Sequence, residues 1–413
     1  MNTKRLLYIG IAAIACLAAG PIYRSGWYDA EDKLGRTVVT FNSGYPQHEL
    51  VRNGLAYKSD GTMCAIWLAK AGKDGSHVCY GCYDKVRHCM VGEKDPFGFD
   101  VVFDYGRSRP IALIMGPGDI ATILAVEAPV LQSDPPTPER LKVARFNQAT
   151  GNWEGWRGTG FDLIAQQSCA GQYECSQGLK ADAARNPTNN WFGVAWMDGL
   201  DLHWIDFDGT NYLDAFAYTN GNWVQPAVQI DQAGTPHVAL AGMTITGRGA
   251  GIDYATRSGS TWTHDWMSGA TIVSGDLAVS STGDVMEAFG TYYYPDTSTI
   301  GLRLKPAGGS WQNIPMPFQS KPGAFAIRYD PAGRLVLVWY ERDLKDLYAA
   351  RRLTTGVWVG LEGGSAKTRV TTDPYENNHL GVTLNVAGLP GVIYRIGAEY
   401  QFPDLGYTHW IGP

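Results

Sequence analysis

The sequence is poor in charged residues and has no long apolar run in its body. Only 18% of the 413 residues are Asp, Glu, Lys or Arg, against about 25% in a typical globular protein. Low charge together with 12% aromatic residues excludes a coiled coil and an intrinsically disordered chain. No body segment reaches the roughly 18 apolar residues that a membrane-spanning helix needs. The composition therefore predicts a large soluble protein, rich in turns.

Basic clusters are also scarce. The chain has 34 Lys and Arg against 40 Asp and Glu, a net charge of −6, and no basic run beyond its first residues. Nucleic-acid binding that does not depend on sequence needs clustered Lys and Arg to displace counterions from phosphates. We therefore expect no nucleic-acid partner.

Familiar catalytic motifs are missing. The sequence contains no G-x-S-x-G elbow, no H-E-x-x-H and no phosphate-cradling glycine loop. His264 and Asp265 are adjacent, so on a strand their side chains would point to opposite faces. A glycosidase with two carboxyl groups remains an alternative, because these groups can come from distant parts of the 40 acidic residues. The balance favours a protein that is not an enzyme.

The first residues indicate export. Lys4 and Arg5 precede an uncharged, mostly apolar stretch at residues 6–19, so residues 1–19 are predicted to be a secretory signal. A small residue before Cys16 also fits a lipoprotein signal, which makes Cys16 a candidate lipidation site. Simple cleavage and an uncleaved anchor are the alternatives. The expected location is secreted or in the cell envelope, with membrane contact only through such a lipid or anchor.

The remaining six cysteines predict disulfides. An exported protein with an even number of cysteines suggests three bonds. Cys169 and Cys175 are the easiest local pair, and the other four can pair in three ways. The alternative is a zinc site at the C-x-x-C spacing with His77 and His88 nearby; no metal site is favoured. The six cysteines are Cys64, Cys79, Cys82, Cys89, Cys169 and Cys175.

One turn pattern recurs along the chain. Each copy has a turn residue, usually Gly, followed by an apolar run with a large residue often six positions on. The turn residues are Gly61, Gly106, Asn190, Gly234, Gly283, Gly333 and Gly388, which are 45, 84, 44, 49, 50 and 55 residues apart. A period near 50 that begins each time with a turn is typical of propeller blades.

A second pattern accompanies the first. A Gly hairpin places Trp at the start of the next strand at Trp153, Trp223, Trp262, Trp311 and Trp358. The two patterns together predict four short strands in each repeat. The sequence therefore predicts an all-β, seven-bladed β-propeller of four-stranded blades over residues 36–413. The long gap predicts one surface insertion at about residues 129–185, and residues 36–41 are predicted to complete the last blade because an unpaired edge invites aggregation.

These hairpins resemble a known repeat. Residues 257–262 read Arg-Ser-Gly-Ser-Thr-Trp, which is similar to the S-x-D-x-G-x-T-W box of sialidase-like (BNR or Asp-box) propellers without its Asp. The repeat length and Trp content also resemble bacterial propeller lectins. The resemblance implies an exported propeller that interacts with carbohydrate. The Arg-Ile-Pro signature of sialidases is absent, so no catalytic residue is transferred.

Loops that follow the buried strand of a blade are expected to gather on one face and to carry function. Aromatic rings beside Asp and Arg suit sugars, because rings stack on C–H groups and charged side chains bond hydroxyls. The Asp206–Asn211 stretch also has the oxygen side chains that calcium prefers, the only cofactor considered. The candidate ligand residues are Trp204, Asp206, Asp208, Arg248, Tyr292, Tyr293, Glu341 and Arg342.

The sequence thus predicts an exported, monomeric propeller that binds a glycan or a surface protein on its loop face without catalysis. A sialidase-like glycoside hydrolase is one alternative. A cell-surface scaffold for protein interaction is the other.

Overall fold

The computed structural model describes the chain from residue 28 to residue 409 with gaps. The described ranges are residues 28–31, 37–41, 47–49, 51–71, 75–84, 89–94, 100–103, 107–128, 138–158, 160–168, 178–219, 225–243, 250–268, 272–291, 299–317, 322–344, 346–361, 363–364, 366–371, 380–384, 388, 390–396 and 404–409. These ranges contain 33 strands and a single 3₁₀ turn, Pro117–Asp119. None of their helices is long and apolar enough to cross a membrane.

The strands are short, as the turn spacing predicts. The first thirteen are β1 Tyr28–Glu31, β2 Thr37–Phe41, β3 Gln47–Glu49, β4 Leu55–Tyr57, β5 Met63–Ala71, β6 Gly75–Asp84, β7 Cys89–Val91, β8 Asp100–Phe103, β9 Arg107–Met115, β10 Ala121–Ala128, β11 Arg140–Asn147, β12 Asn152–Glu154 and β13 Asp162–Gln166. The next ten are β14 Lys180–Arg185, β15 Phe192–Asp198, β16 Asp201–Phe207, β17 Tyr212–Thr219, β18 Gln225–Ile230, β19 Pro236–Met243, β20 Ala250–Ser258, β21 Thr261–Ser268, β22 Ile272–Val279 and β23 Val285–Thr291. The last ten are β24 Thr299–Lys305, β25 Gln312–Ile314, β26 Pro322–Tyr329, β27 Leu335–Glu341, β28 Asp346–Arg352, β29 Trp358–Val359, β30 Thr368–Thr371, β31 Leu380–Leu384, β32 Pro390–Ile396 and β33 Asp404–His409.

The described strands form six sheets of antiparallel meanders. Three of them, β14–β17, β18–β21 and β22–β25, follow the chain order directly. A fourth has the order β26-β27-β28-β29, and its last strand, β30, also pairs with β28. An 11-stranded sheet holds β3 to β13, and the last sheet has the order β1-β2-β33-β32-β31. The architecture is therefore an all-β propeller with four-stranded antiparallel blades.

The predicted count of seven separate blades is wrong, because the described strands form six sheets. The first two predicted blades share the 11-stranded sheet, where Ser76 on β6 pairs in parallel with Arg107 on β9. Sequence spacing counts turns, and it does not report whether two neighbouring meanders bond to each other. The merger of two predicted blades therefore had no signal in the sequence.

The innermost strands form a closed ring. In order, β4, β9, β14, β18, β22, β26 and β31 each contact the next one, and β31 contacts β4. The two ends of the described chain complete the last sheet together, since Val39 on β2 pairs with Tyr407 on β33. The prediction that residues 36–41 complete the last blade is confirmed for residues 37–41; residue 36 lies outside the described residues. The sheet also includes β1, which lies before the predicted domain start at residue 36.

The predicted turns are largely confirmed. Six of the seven predicted turn residues have a φ between 61° and 86°, a conformation that glycine adopts without a steric penalty. Gly106 lies outside the described residues. The equivalent turn of that meander is at Gly118, whose φ is 69° and which lies between β9 and β10.

The region predicted as a surface insertion contains blade strands. Within residues 129–185, β11 pairs with β10, and both β12 and β13 pair with β11. The next sheet begins at β14, in the same region. Because the turn of this meander is at Gly118, the stretch from this turn to the next one at Asn190 is shorter than the gap from which the insertion was predicted. Residues 129–137 and 169–177 lie outside the described part.

The second strand of each meander is buried on both faces. All seven residues of β27 are buried, as are six of the seven of β15. The tryptophans expected from blade construction, Trp67, Trp196 and Trp339, are at most 3% exposed. Burial on both faces explains the continuous apolar runs in these segments.

One predicted disulfide is observed. Cys64 and Cys82 are bonded between directly opposed positions of β5 and β6, which removes both from the alternative zinc site. Cys79 is buried on β6, and Cys89 lies on β7. Cys16, Cys169 and Cys175 lie outside the described residues, so lipidation and the other bonds stay predictions, as does the signal at residues 1–19.

Breaking the Cys64–Cys82 bond is expected to lower the free energy of unfolding by roughly 3 kcal/mol, because the bond closes a loop of 18 residues. Urea unfolding of C64A, C82A and the double variant measures this loss. The three should be destabilised about equally, since either substitution alone breaks the bond. A double variant with the wild-type midpoint would contradict the expectation.

Candidate functional site

The structure describes five of the eight predicted ligand residues and does not gather these five in one place. Arg248, Tyr292 and Tyr293 lie outside the described residues. Trp204 lies in the middle of β16 and is 1% exposed. Its indole donates a 2.7 Å hydrogen bond to Asp206, whose other oxygen accepts a 2.7 Å bond from Arg257 on the neighbouring sheet. Trp204 and Asp206 therefore serve packing between two sheets.

Asp208 occupies the turn between β16 and β17. One carboxylate oxygen accepts hydrogen bonds from the backbone N–H groups of Thr210 and Asn211, at 2.8 and 2.7 Å. These bonds, from Asn211 first and then Thr210, lower the pKa of Asp208. The described residues contain no group of three His, Cys, Asp or Glu side chains arranged to hold a metal ion. The calcium-type sequence thus builds a hairpin turn.

Glu341 and Arg342 lie at the face of the ring opposite to the one that holds Asp208. Glu341 is the last residue of β27, the second strand of its meander, and is buried. Asp208 follows β16, the third strand of its meander. Because successive strands of a meander run in opposite directions, the ends of second and third strands lie at opposite faces. The described members of the predicted set therefore lie at two faces of the ring. The part of the prediction that falls on Arg248, Tyr292 and Tyr293 lies outside the described residues and stays a prediction.

Side chains from the starts of the inner strands converge instead. They line a cavity of ≈410 Å³ at one end of the central channel, which we call the mouth cavity. Its wall is built by the segment before β4 and by the first residues of β9, β14, β18, β22 and β26. The polar and aromatic lining residues are Arg52, Arg109, Lys180, Asp182, Gln225, Ser274 and Phe325.

A second cavity, of ≈730 Å³, lies further along the same strands and is called the distal cavity. On β9, residues 109–111 line the mouth cavity and residues 113–115 line the distal cavity. On β14, Lys180 and Asp182 line the mouth cavity, while residues 183–185 line the distal cavity. The two cavities therefore follow each other along the channel.

A chain of polar side chains lies between the cavities and is called the polar layer. Arg328 donates one hydrogen bond of 2.9 Å to Asp276 and another of 2.8 Å to Asn53. The Asn53 amide donates a 2.8 Å bond to Asp182. Arg52 adds an ion pair to Asp276 at 3.5 Å. These contacts connect four separate strands or segments across the channel.

The two carboxylates of the polar layer also hold the adjacent inner strands together. Asp182 on β14 accepts a 2.9 Å bond from the N–H of Val228 on β18, and Asp276 on β22 accepts a 2.9 Å bond from the N–H of Ile327 on β26. Burial raises the pKa of Asp182 to about 6, although the nearby positive charge of Arg52 opposes this. Both carboxylates are therefore engaged by protein donors.

The cations of the mouth cavity are less completely paired. Arg109 donates a 2.6 Å bond to Glu139 and another to the Leu179 carbonyl. No described residue forms a hydrogen bond or an ion pair with the Lys180 ammonium. Burial lowers the pKa of Lys180, and the charge of Arg109 lowers it further. The lining thus has three cations and one carboxylate, which makes it a candidate anion site.

A further buried ion pair lies away from the channel. Arg303 on β24 donates a hydrogen bond to Glu287 on β23, and its guanidinium stacks 4.1 Å from the Trp311 ring centre. Burial raises the pKa of Glu287 to about 7. These groups lie on the middle and outer strands of one sheet, where they pack against its neighbour. They stabilise the contact between sheets and line neither cavity.

Sequence reasoning missed the polar layer and the mouth cavity. A signal was present, because Asp182, Asp276 and Arg328 each interrupt an apolar first strand of a repeat. Charged side chains in such strands are rarely buried unless they are paired. The sequence does not indicate which residues pair with these three charged side chains, because the partners come from other repeats.

Comparison with solved structures finds the propeller fold. The polysaccharide lyase Uly1 superposes with a TM-score of 0.52 at 12% identity, over 96% of this chain and 94% of its own. A protein of unknown function from Dyadobacter fermentans DSM 18053 gives 0.46 at 11% identity, over 87% and 96%. The α-L-arabinofuranosidase Arb93A from Fusarium graminearum gives 0.45 at 10% identity, over 90% and 97%. No protein-family model and no curated protein matches the chain.

At these identities the likeness shows the fold alone. The resemblance to sialidase-like propellers is therefore supported as far as the propeller architecture and no further.

Replacing Asp276 by Ala is expected to lower the free energy of unfolding by about 3–5 kcal/mol, because the Arg328 guanidinium is left buried without its counter-ion. Urea unfolding measures the loss. The double variant D276A/R328M should lose less than the sum of the two single variants, since it removes both charges of the Asp276–Arg328 pair and leaves only the part-exposed Arg52 without its ion pair. A D276A variant within about 1 kcal/mol of the wild type would contradict the role given to the layer.

Proposed function

We propose that this protein binds an acidic carbohydrate in the mouth cavity without cleaving it. The observation that carries the proposal is the lining itself, in which Arg52, Arg109 and Lys180 face a single carboxylate, Asp182. Arg52 and Arg109 are already paired with Asp276 and Glu139, so an anionic group of the ligand would supply the counter-charge that Lys180 lacks among the described residues.

The dimensions support a small ligand or one end of a longer one. The ≈410 Å³ of the mouth cavity lies within the range of about 300–1,000 Å³ for ligand pockets. Phe325 offers an aromatic face and Gln225 an amide, which are groups that meet C–H and hydroxyl groups of a sugar. Both stand on inner strands of a closed ring, a rigid support for a binding site.

The positive charge of the mouth cavity favours an acidic ligand over a neutral one. Lys180 has no partner among the described residues, so a ligand carboxylate or sulfate would gain a charge-assisted hydrogen bond there. Arg109 is already bonded to Glu139 at 2.6 Å and would act mainly through its field. A neutral sugar would leave the Lys180 charge uncompensated.

The comparison adds support for carbohydrate as the class. The propeller that superposes over 96% of this chain is a polysaccharide lyase. The Cys64–Cys82 bond supports a location outside the reducing cytoplasm, where such polymers occur. A secreted or envelope-bound monomer is the setting that we propose.

Binding without catalysis is supported by how the carboxylates are used. Asp182 accepts bonds from Asn53 and Val228, and Asp276 from Arg328 and Ile327. A glycosidase needs one carboxyl group as an acid and another as a base or nucleophile, each facing the substrate. Asp182 is the one carboxyl group among the described residues that line the mouth cavity, so the cavity has no second carboxyl group to complete such a pair.

Binding tests the proposal. Isothermal titration should detect binding of oligogalacturonate and of dextran sulfate oligomers, and no binding of uncharged dextran. Lys180→Gln should weaken binding of the acidic oligomers by about tenfold or more, because one charged contact contributes about 1.5–3 kcal/mol.

Arg185→Gln is the matched control. Arg185 is on the same strand, carries the same charge and lies at the distal cavity, where it donates a 2.6 Å bond to Asn190. Its loss should leave the affinity within about twofold. Equal weakening by both substitutions, or tight binding of uncharged dextran, would refute the proposed site.

A specific observation favours a second candidate, a polysaccharide lyase. Lys180 lines the mouth cavity without a partner among the described residues, and burial lowers its pKa; a lysine in that position can serve as the base that removes a proton next to a uronate carboxylate. In that elimination the C4–oxygen bond breaks as the C4–C5 double bond forms, and the leaving oxygen takes a proton.

Ultraviolet absorbance of the unsaturated product from oligogalacturonate and other uronate polymers tests this candidate. The binding proposal expects no absorbance increase with the wild-type protein. An increase that Lys180→Gln abolishes would establish the lyase and would replace the claim of binding without cleavage.

A further inference from the structure

We propose that binding of an acidic carbohydrate in the mouth cavity is coupled to the uptake of one proton by Asp182. This inference rests on the proposed function and adds a regulation of the same site by pH. Asp182 lines the same cavity as the three cations, so a ligand anion that reaches them must approach its carboxylate.

Asp182 has charged neighbours on its own strand, on β9 and on the segment before β4. On its own strand β14 the neighbouring charge in the cavity is Lys180. The adjacent strands contribute Arg109 from β9, the neutral Ala195 from β15, and the backbone N–H of Val228 from β18. The segment before β4 contributes Arg52 and Asn53.

The charges further out are already engaged. Asp276 from β22 and Arg328 from β26 bond each other at 2.9 Å, and Glu139 bonds Arg109 at 2.6 Å. No histidine lines the mouth cavity among its described residues. Asp182 and Lys180 are therefore the two groups whose titration can affect the ligand.

A bound anion shifts the protonation equilibrium of the Asp182 carboxyl group in two ways. It repels the carboxylate, and it takes up the positive field of Arg52 that stabilises the ionised form. Both effects favour the protonated acid in the complex. The proton comes from solvent. The carboxylate already accepts hydrogen bonds from Asn53, from Val228 and from the N–H of Ala183, which leaves one of its about four lone-pair sites for the proton. The resulting O–H can donate to the ligand.

The sign of the pH dependence follows. Burial gives the free protein a pKa of about 6 at Asp182, and the complex has a higher one. Below the free value both states hold the proton, and affinity does not change with pH. Above it, binding requires proton uptake, so affinity falls as pH rises, by up to about tenfold per pH unit.

Titration of the ligand at several pH values tests the coupling. Oligogalacturonate and dextran sulfate oligomers serve as probes, because both stay ionised above about pH 5.5. The wild-type affinity should fall by about tenfold between about pH 6 and about pH 8. Isothermal titration in buffers of different ionisation enthalpy should show net proton uptake near neutral pH.

Two variants identify the titrating group. Asp182→Asn should abolish the pH dependence and the proton uptake. Lys180→Arg keeps a charge that does not titrate and should retain both. Proton uptake by Lys180→Arg tests the proposal even if Asp182→Asn fails to fold.

The failures are distinguishable. If neither acidic oligomer binds at any pH, the proposed function fails, and this inference with it. If they bind with the same affinity across the range and without proton uptake, only the coupling is overturned. A pH dependence that survives in Asp182→Asn and disappears in Lys180→Arg would assign the titration to Lys180 and would also overturn it.

Discussion

The structure depends on buried carboxylates that bond to the backbone of the next inner strand. Asp182 holds the N–H of Val228, and Asp276 holds the N–H of Ile327. A buried carboxylate is costly unless donors surround it, so each must also recruit a side-chain partner. Asn53 and Arg328 fill that role and connect the two carboxylates across the channel. The ring and the polar layer are therefore one construction.

The same construction sets the charge of the mouth cavity. Asp182 and Asp276 are bonded to amides and to Arg328 inside the polar layer. They therefore offset little of the positive charge that faces the mouth cavity. The cations at the strand starts are left facing the cavity, and Lys180 is the least compensated of them. A rigid, electropositive pocket at the centre of a ring is the physical basis of the proposed affinity for acidic carbohydrate. It also places one protonatable group, Asp182, where a ligand anion must come near.

Local chemistry made part of this structure predictable from the sequence. Turn residues such as Gly234 and Gly333 reveal themselves because a positive φ restricts the choice of residue. Buried strands such as β27 are continuous apolar runs. Residues 36–41 have the composition of a strand, and its pairing with the other end of the chain was expected because an unpaired edge strand invites aggregation. Gly106 lies outside the described residues, and the turn between β9 and β10 is at Gly118, which also has a positive φ.

The site was less predictable because it is made of long-range contacts. Asn53 meets Asp182 across 129 residues and Arg328 across 275, and no local pattern encodes such pairs. Trp204 and Asp206 looked like sugar-binding residues by type, but their actual partners are each other and Arg257. Residue type alone does not separate packing between sheets from an open binding surface.

The most direct test of the central claim is an experimental structure of the protein with bound oligogalacturonate. The account predicts electron density for the sugar in the mouth cavity, with a carboxylate in hydrogen-bonding distance of the Lys180 ammonium. Density in the distal cavity, or only on the outer strands, would contradict it.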